Sequence, residues 1–321
     1  MNSKDFARVL VEEVVDSNPP DSRGFISENG IDVSNLDDAD EIWKAFVRYN
    51  IDAYGMKSGT VWKYWNELPD EALIKQREKL LDKIKYLKGL PCYNNFTTNC
   101  PVTYKKTENF VDAEKCYHKD FFMECPVVNL IQELNWHRAH YKIAKILAEN
   151  VKRLLIEDDN GAKNGNLNDV VNRLINKYPK YPDDEKGKVS ATEKLISKFD
   201  EIKGYGNPPK VITWFFSELS SPVHQVEHWP NLDYMHLSPV DTHVQRLMVR
   251  FKFINSKEVS NKNIEKKLSE LYPEEPRKLD FGLYRLGGEL EEGICGIKPK
   301  CELCQEKHPK LYKNCYVKLL I

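Results

Sequence analysis

Neither charge is in excess in this chain of 321 residues, where 48 Lys and Arg stand against 49 Asp and Glu. A polyanionic partner would therefore meet a local basic patch, not a global field. No apolar run approaches the roughly 18 residues of a membrane-spanning helix, and the opening MNSKDFARVLVEEVVDS places acids where a signal peptide needs an unbroken apolar core. These absences point to a protein of the cytoplasm or of the nucleus, neither secreted nor membrane-bound. Strand patterns are sparse and no repeat period emerges, which leaves helical periodicity as the dominant signal.

What is present is material for a folded core, 41% hydrophobic and 11% aromatic. Residues 1–90 read as a helical N-terminal extension, with apolar residues recurring at three and four in DEIWKAFVRYNIDAYG and DEALIKQREKLLDKIKYLKGL. The second of these starts at Leu68-Pro69-Asp70-Glu71 and stops at Gly89 before Pro91. Residues 91–125 break the periodicity and form an irregular, cysteine-containing insert. From Pro126 a long helical pattern, PVVNLIQELNWHRAHYKIAKILAENVKRLL, resumes and opens a helical domain over 126–237, followed by a last domain over 238–321. The class predicted is all-α.

Three motifs carry the functional reading. In FDEIKGYGNPPKVITWFFSEL, Gly204-Tyr205-Gly206 lies between two apolar helical stretches, within a hairpin over 199–219. Such glycines expose backbone amides at a helix start, where a phosphate can bind; alone they serve a tight turn equally well. Next comes SPVDTHVQRLMVRF, residues 238–251, with Asp241 before an amphipathic helix. Last, CGIKPKCELCQEKHPKLYKNC gathers Cys295, Cys301, Cys304 and Cys315 in the spacing C-x5-C-x2-C-x10-C. In a reducing compartment such cysteines point to metal ligation or burial, not disulfides.

The order of these motifs, over about residues 126–321, resembles the helix-hairpin-helix (HhH-GPD) DNA glycosylase superfamily. The closest likeness is to its endonuclease III-like branch with a C-terminal [4Fe-4S] loop. The matching positions are Gly204, Gly206, Val240, Asp241, Thr242, His243, Val244, Arg246 and the four terminal cysteines. The resemblance implies two helical subdomains flanking a cleft, an iron-sulfur cluster loop, and part of the N-terminal region packing on the cluster domain. It implies a monomeric enzyme that flips a damaged or modified base out of double-stranded DNA and cleaves its N-glycosidic bond in base excision repair. Asp241 would stabilise the positive charge that builds on the sugar and would orient or deprotonate the nucleophile. The alternative for Asp241 is a plain helix cap, and the two roles are compatible.

Family members that also cut the strand carry a lysine two residues after the second hairpin glycine, where this chain has Pro208. Lys210 follows two positions later, and taking it as the equivalent sets Trp214, Phe215, Phe216 and Leu219 on a buried face. The longer spacing from Lys210 to Asp241 resembles that of archaeal 8-oxoguanine glycosylases. Lys210 is thus the candidate Schiff-base nucleophile of an AP lyase step; a lysine contacting phosphate or solvent is the alternative.

For the cysteines, the endonuclease III spacing C-x6-C-x2-C-x5-C differs by one residue in the first gap and five in the last. A [4Fe-4S] cluster is the cofactor expected, with zinc as the alternative, in which case His308 can replace Cys315. Candidates for DNA contact are Gly204, Tyr205, Gly206, Asn207, His243, Arg246, Lys298 and Lys300, with Lys307 and Lys310 adding cations to the same loop. Leu134, Asn135, Trp136 and His137 are candidates for a base pocket or wedge, and Trp229, Tyr234 and His236 for stacking on a base. Cys92, Cys100, Cys116 and Cys125, with gaps of seven, fifteen and eight, follow no metal motif and read as free thiols, with a second metal site, His118 nearby, as the alternative. Two other functions stay open: a monofunctional glycosylase for uracil, a mismatched base or a modified cytosine that uses water, and a non-catalytic DNA-binding module.

Overall fold

The computed structural model describes residues 1–20, 26–27, 30–51, 70–102, 104–105, 110–111, 115–117, 119–134, 139–157, 165–182, 189–202, 210–234, 237–288 and 293–315. The chain is mostly α-helical. The longer helices are α1 (Ser3–Val11), α2 (Ala39–Ile51), α3 (Asp70–Lys83), α4 (Pro126–Glu133), α5 (His140–Asn150), α6 (Leu167–Lys177), α7 (Ala191–Asp200), α8 (Lys210–Ser220), α9 (Thr242–Arg250), α10 (Asn261–Leu271) and α11 (Pro276–Gly287). Two short helices follow, α12 (Cys301–Lys307) and α13 (Pro309–Asn314). Among the described residues the one β-ladder is antiparallel and pairs Tyr104 with Val111 and Lys105 with Phe110.

The chain divides into two compact units, Met1–Ser22 with Phe216–Ile321, and Arg23–Phe215. In the first, α1 and the π-turn Glu12–Asp16 bury Phe6, Ala7, Leu10, Val11, Val14 and Val15, a helical stripe read directly from the opening sequence. That stripe packs in one core with Leu247 and Met248 of α9, Ile264 and Leu268 of α10, and Leu279, Leu283 and Leu286 of α11. Phe6 meets the ring of Phe251 edge-on at 5.1 Å. Close approach depends on Gly282 of α11, where a Cβ would fall 2.6 Å from Leu10 Cδ2 and 3.2 Å from Val15 Cγ2.

At the start of α11 a buried polar network holds the helix in place. Arg277 Nε donates to Ser217 Oγ at 2.7 Å, its Nη1 pairs with Asp280, and its Nη2 lies 3.2 Å from His224 Nε2. Because an arginine only donates, His224 Nε2 is the acceptor. Burial, reinforced by the Arg277 charge, holds this imidazole well below its usual pKa, so it stays neutral.

In the second unit, Phe46 of α2 packs against Phe199 and Phe215, and Tyr49 against Trp214 and Phe215. Helix α3 begins at Asp70 and passes through a 3-10 turn to Gly89, which has φ of +95°. The pattern after Pro126 is not one helix but two, ending at Glu133 and restarting at His140. Leu134 is the C-cap of α4 and Ala139 the N-cap of α5, and from Ile143 to Asn150 the second helix is buried on every side, so no single apolar stripe runs through both.

Two outcomes test this packing. Gly282→Leu forces four carbons into the contact between α1 and α11 and should lower stability by about 1–3 kcal/mol in denaturant titration. Glu265, on α10, is pushed up to about 7, first by burial and then by the Asp280 carboxylate. A carboxyl raised in the folded state stabilises fully below its ordinary value of 4.5, and that contribution is lost as pH rises toward 7. Glu265→Gln should therefore raise the melting temperature at pH 8 by more than at pH 5, by the equivalent of roughly 1–3 kcal/mol.

Candidate active site and cysteine cradle

Helix α9 organises the functional residues of the first unit. Asp241 is its N-cap, in extended conformation after Ser238-Pro239-Val240, and its Oδ1 accepts the amide of Val244 at 2.8 Å. The residue is 8% exposed, and its Oδ2 accepts no hydrogen bond from any described residue. One oxygen is therefore fixed by the helix start, which also sets the direction of the other.

One turn further along, His243 and Arg246 converge on the C-terminal end of α11. His243 Nδ1 lies 2.7 Å from the carbonyl of Gly287, and Arg246 Nη2 donates to the same oxygen at 2.9 Å. The carbonyl accepts only, so Nδ1 carries the hydrogen, and its 3.0 Å approach to Arg246 Nη2 is a donor meeting a donor. The orphan carbonyl of a helix end thereby gains two donors, one of them cationic. Gly287 permits this because a Cβ there would stand 3.1 Å from His243 Cβ. Both residues, expected at the DNA, are bonded within the protein in this structure.

At its far end α9 reaches the cysteine loop. Arg250 Nη1 donates to the carbonyls of Cys295 at 2.8 Å and Gly296 at 2.5 Å and approaches Cys295 Sγ at 3.7 Å, while its Nη2 donates to Ile297 O at 3.1 Å. Sequence reasoning passed over Arg250. The readable signal was the polar stripe His243, Arg246, Arg250, at i, i+3 and i+7 on a helix whose other face is buried.

Cys295, Cys301, Cys304 and Cys315 line a single cavity of about 20 Å³, more than the ~10–15 Å³ that admits one water. Phe251, Leu286, Ile294, Pro299, Leu311 and Tyr312 complete its wall, so four thiols stand in a mostly apolar setting. Burial, and then the neighbouring thiols, push Cys304 up to about 12. Burial also raises Cys295, against a lowering contribution from Arg250. His308 does not share this wall; its Nδ1 lies 3.1 Å from the carbonyl of Glu13. Lys298, Lys300 and Lys310 are exposed around the loop, and Ile297 at its tip is 82% exposed.

Other expected residues fall elsewhere. Lys210 is the exposed first residue of α8 and belongs to the second unit. Phe215, Phe216 and Leu219 are fully buried on that helix. Leu134 is fully buried at the end of α4, where it offers no surface to wedge into a base stack. Trp229 is likewise buried, packed on Phe216 at 5.3 Å, and is a core residue, not a stacking platform. Asn135, Trp136, His137, Gly204, Tyr205, Gly206, Asn207, Pro208 and His236 lie outside the described residues.

Residues 225–289 match a family described as a protein of unknown function, DUF2400. The matched stretch takes in Asp241, His243, Arg246 and Gly287 and stops before the cysteine loop. No curated protein and no solved structure matches the chain.

If Arg250 clamps the loop, Arg250→Ala should speed alkylation of Cys295 about tenfold or more, the loss expected for charge-assisted hydrogen bonds of about 1.5–3 kcal/mol. Mass spectrometry of timed samples reads the rate, and an unchanged rate would remove Arg250 from this role.

Proposed function

We propose that this protein is a DNA glycosylase that releases a damaged or modified base from duplex DNA. The observation that carries the reading is Asp241, one carboxylate oxygen tied into the start of α9 and the other left for a substrate. Breaking an N-glycosidic bond builds positive charge on the sugar, and a preorganised carboxylate stabilises that charge without reorganising. The same carboxylate directs a water toward C1′ and takes up its proton as the base departs. Exposed lysines and Ile297 on the loop tethered by Arg250 would meet the DNA backbone.

The four thiols suit a [4Fe-4S] cluster as a structural and DNA-positioning group. Four thiols around one cavity fit ligands that stand on separate iron atoms.

Whether strand cleavage follows rests on Lys210. Its exposure favours the monofunctional reading, since a lysine nucleophile is usually activated by desolvation or by a cationic neighbour. In the bifunctional reading its amine attacks C1′ and the resulting Schiff base undergoes β-elimination.

The test is cleavage of duplexes carrying a panel of modified bases, with and without hot alkali. Asparagine caps a helix as well as aspartate does, so Asp241→Asn should leave the melting temperature unchanged while cutting base release by about 100-fold or more. Equal activity of mutant and wild type would refute the catalytic role. Cuts that appear without alkali and vanish in Lys210→Gln would establish the lyase step; cuts that need alkali would establish attack by water.

A further inference from the structure

The insert 91–125 lacks a metal motif, yet its four cysteines meet. Cys92, Cys100, Cys116 and Cys125 line one cavity of about 20 Å³, walled by Leu87, Leu90, Phe96 and Val127. No disulfide joins them. Each arrives on a different local structure: Cys92 in the turn of helix Pro91–Asn94, Cys100 as C-cap of Phe96–Asn99, Cys116 in irregular chain, and Cys125 as N-cap of α4.

A second observation points to an anionic occupant. Lys145 of α5 is 7% exposed and donates to the carbonyl of Cys100 at 2.7 Å. Among the described residues no carboxylate pairs with it, and its only other partner is the face of Tyr141. A buried ammonium with no counter-charge is costly. Bonded to the backbone of Cys100, it sets a positive charge beside one of the four cysteines, as a thiolate-ligated centre needs.

We propose that Cys92, Cys100, Cys116 and Cys125 ligate a second iron-sulfur cluster, of the four-iron type, with Lys145 as its buried counter-charge. Binding deprotonates the four thiols, releases four protons and changes no oxidation state when a preassembled cluster is transferred. Among the described residues the lining holds no carboxylate or histidine, a donor set that suits thiolate-seeking metals over magnesium or calcium; His118 lies outside the described residues. The site stands in the second unit, and its existence does not depend on the glycosylase reading.

The test is iron, sulfide and zinc analysis of the anaerobically purified full chain beside Cys116→Ser and Cys301→Ser/Cys304→Ser. Cys116 is the least buried of the quartet, so its loss disturbs the core least. Wild type should hold about eight irons and eight sulfides, and Cys301→Ser/Cys304→Ser about four of each. Cys116→Ser should lose iron from the second centre or give the electron-spin signal of a three-iron cluster. Lys145→Met should retain the fold and shift the reduction potential of one centre only. Unchanged metal content and spectra in Cys116→Ser would overturn the proposal, and one zinc per chain in place of the additional iron would overturn the cluster assignment. Loss of iron in Cys301→Ser/Cys304→Ser alone would leave the terminal cradle as the sole centre, a result that also refutes the second site while sparing the first.

Discussion

The first unit depends on how closely other helices approach α11. Gly282 admits Leu10 and Val15 of the N-terminal segment on one side, and Gly287 admits His243 and Arg246 of α9 at the end. Neither approach survives a Cβ without displacement. The same helix is anchored at its start by Arg277, Asp280, His224 and Ser217, whose burial makes every unmade hydrogen bond expensive. With α11 held at both ends, α9 has one position available, and that position sets the direction of Asp241 and the placement of Arg250.

The second unit solves a harder problem with charge. Lys145, Glu149 and Lys152 recur at four and three along α5 and the π-turn after it, and each binds the backbone of the cysteine-bearing insert. Lys145 takes the Cys100 carbonyl, Glu149 takes the Phe96 amide at 2.7 Å, and Lys152 takes the Tyr93 carbonyl at 2.6 Å. Short irregular segments have few backbone bonds of their own, and buried charges are tolerated only when they satisfy such groups. Lys152 pairs with Glu149 at 2.8 Å; among the described residues Lys145 has no carboxylate partner, and that asymmetry is what the proposed anionic centre would answer.

Helical periodicity was legible because it reports a local geometry: the α1 stripe, α2 and the start of α3 at Asp70 all follow from residue spacing. So was the capping position of Asp241, which needs only a carboxylate before an amphipathic helix. The break between α4 and α5 was hidden because each half has a sound helical period of its own. Leu134 and Trp229 were misplaced for a related reason, since an apolar side chain beside polar ones reads alike on a surface and in a core. Convergence of Cys92, Cys100, Cys116 and Cys125 was illegible in principle. Their gaps reflect loop lengths, and the agents that draw the segment together are charges on a helix many residues away.

The two thiol quartets differ in how their surroundings would tune a bound centre. Around the terminal cradle, Arg250 approaches a sulfur directly and also binds the adjacent carbonyls, a contact exposed at its outer edge through Ile297. Around the insert quartet the cation is buried and reaches a carbonyl, not a sulfur. Hydrogen bonds to sulfur, net charge and solvent access are the main levers on a cluster's potential. On the proposed reading the two centres would therefore sit at different potentials, one tuned by an arginine at a sulfur and the other by a buried lysine at a carbonyl.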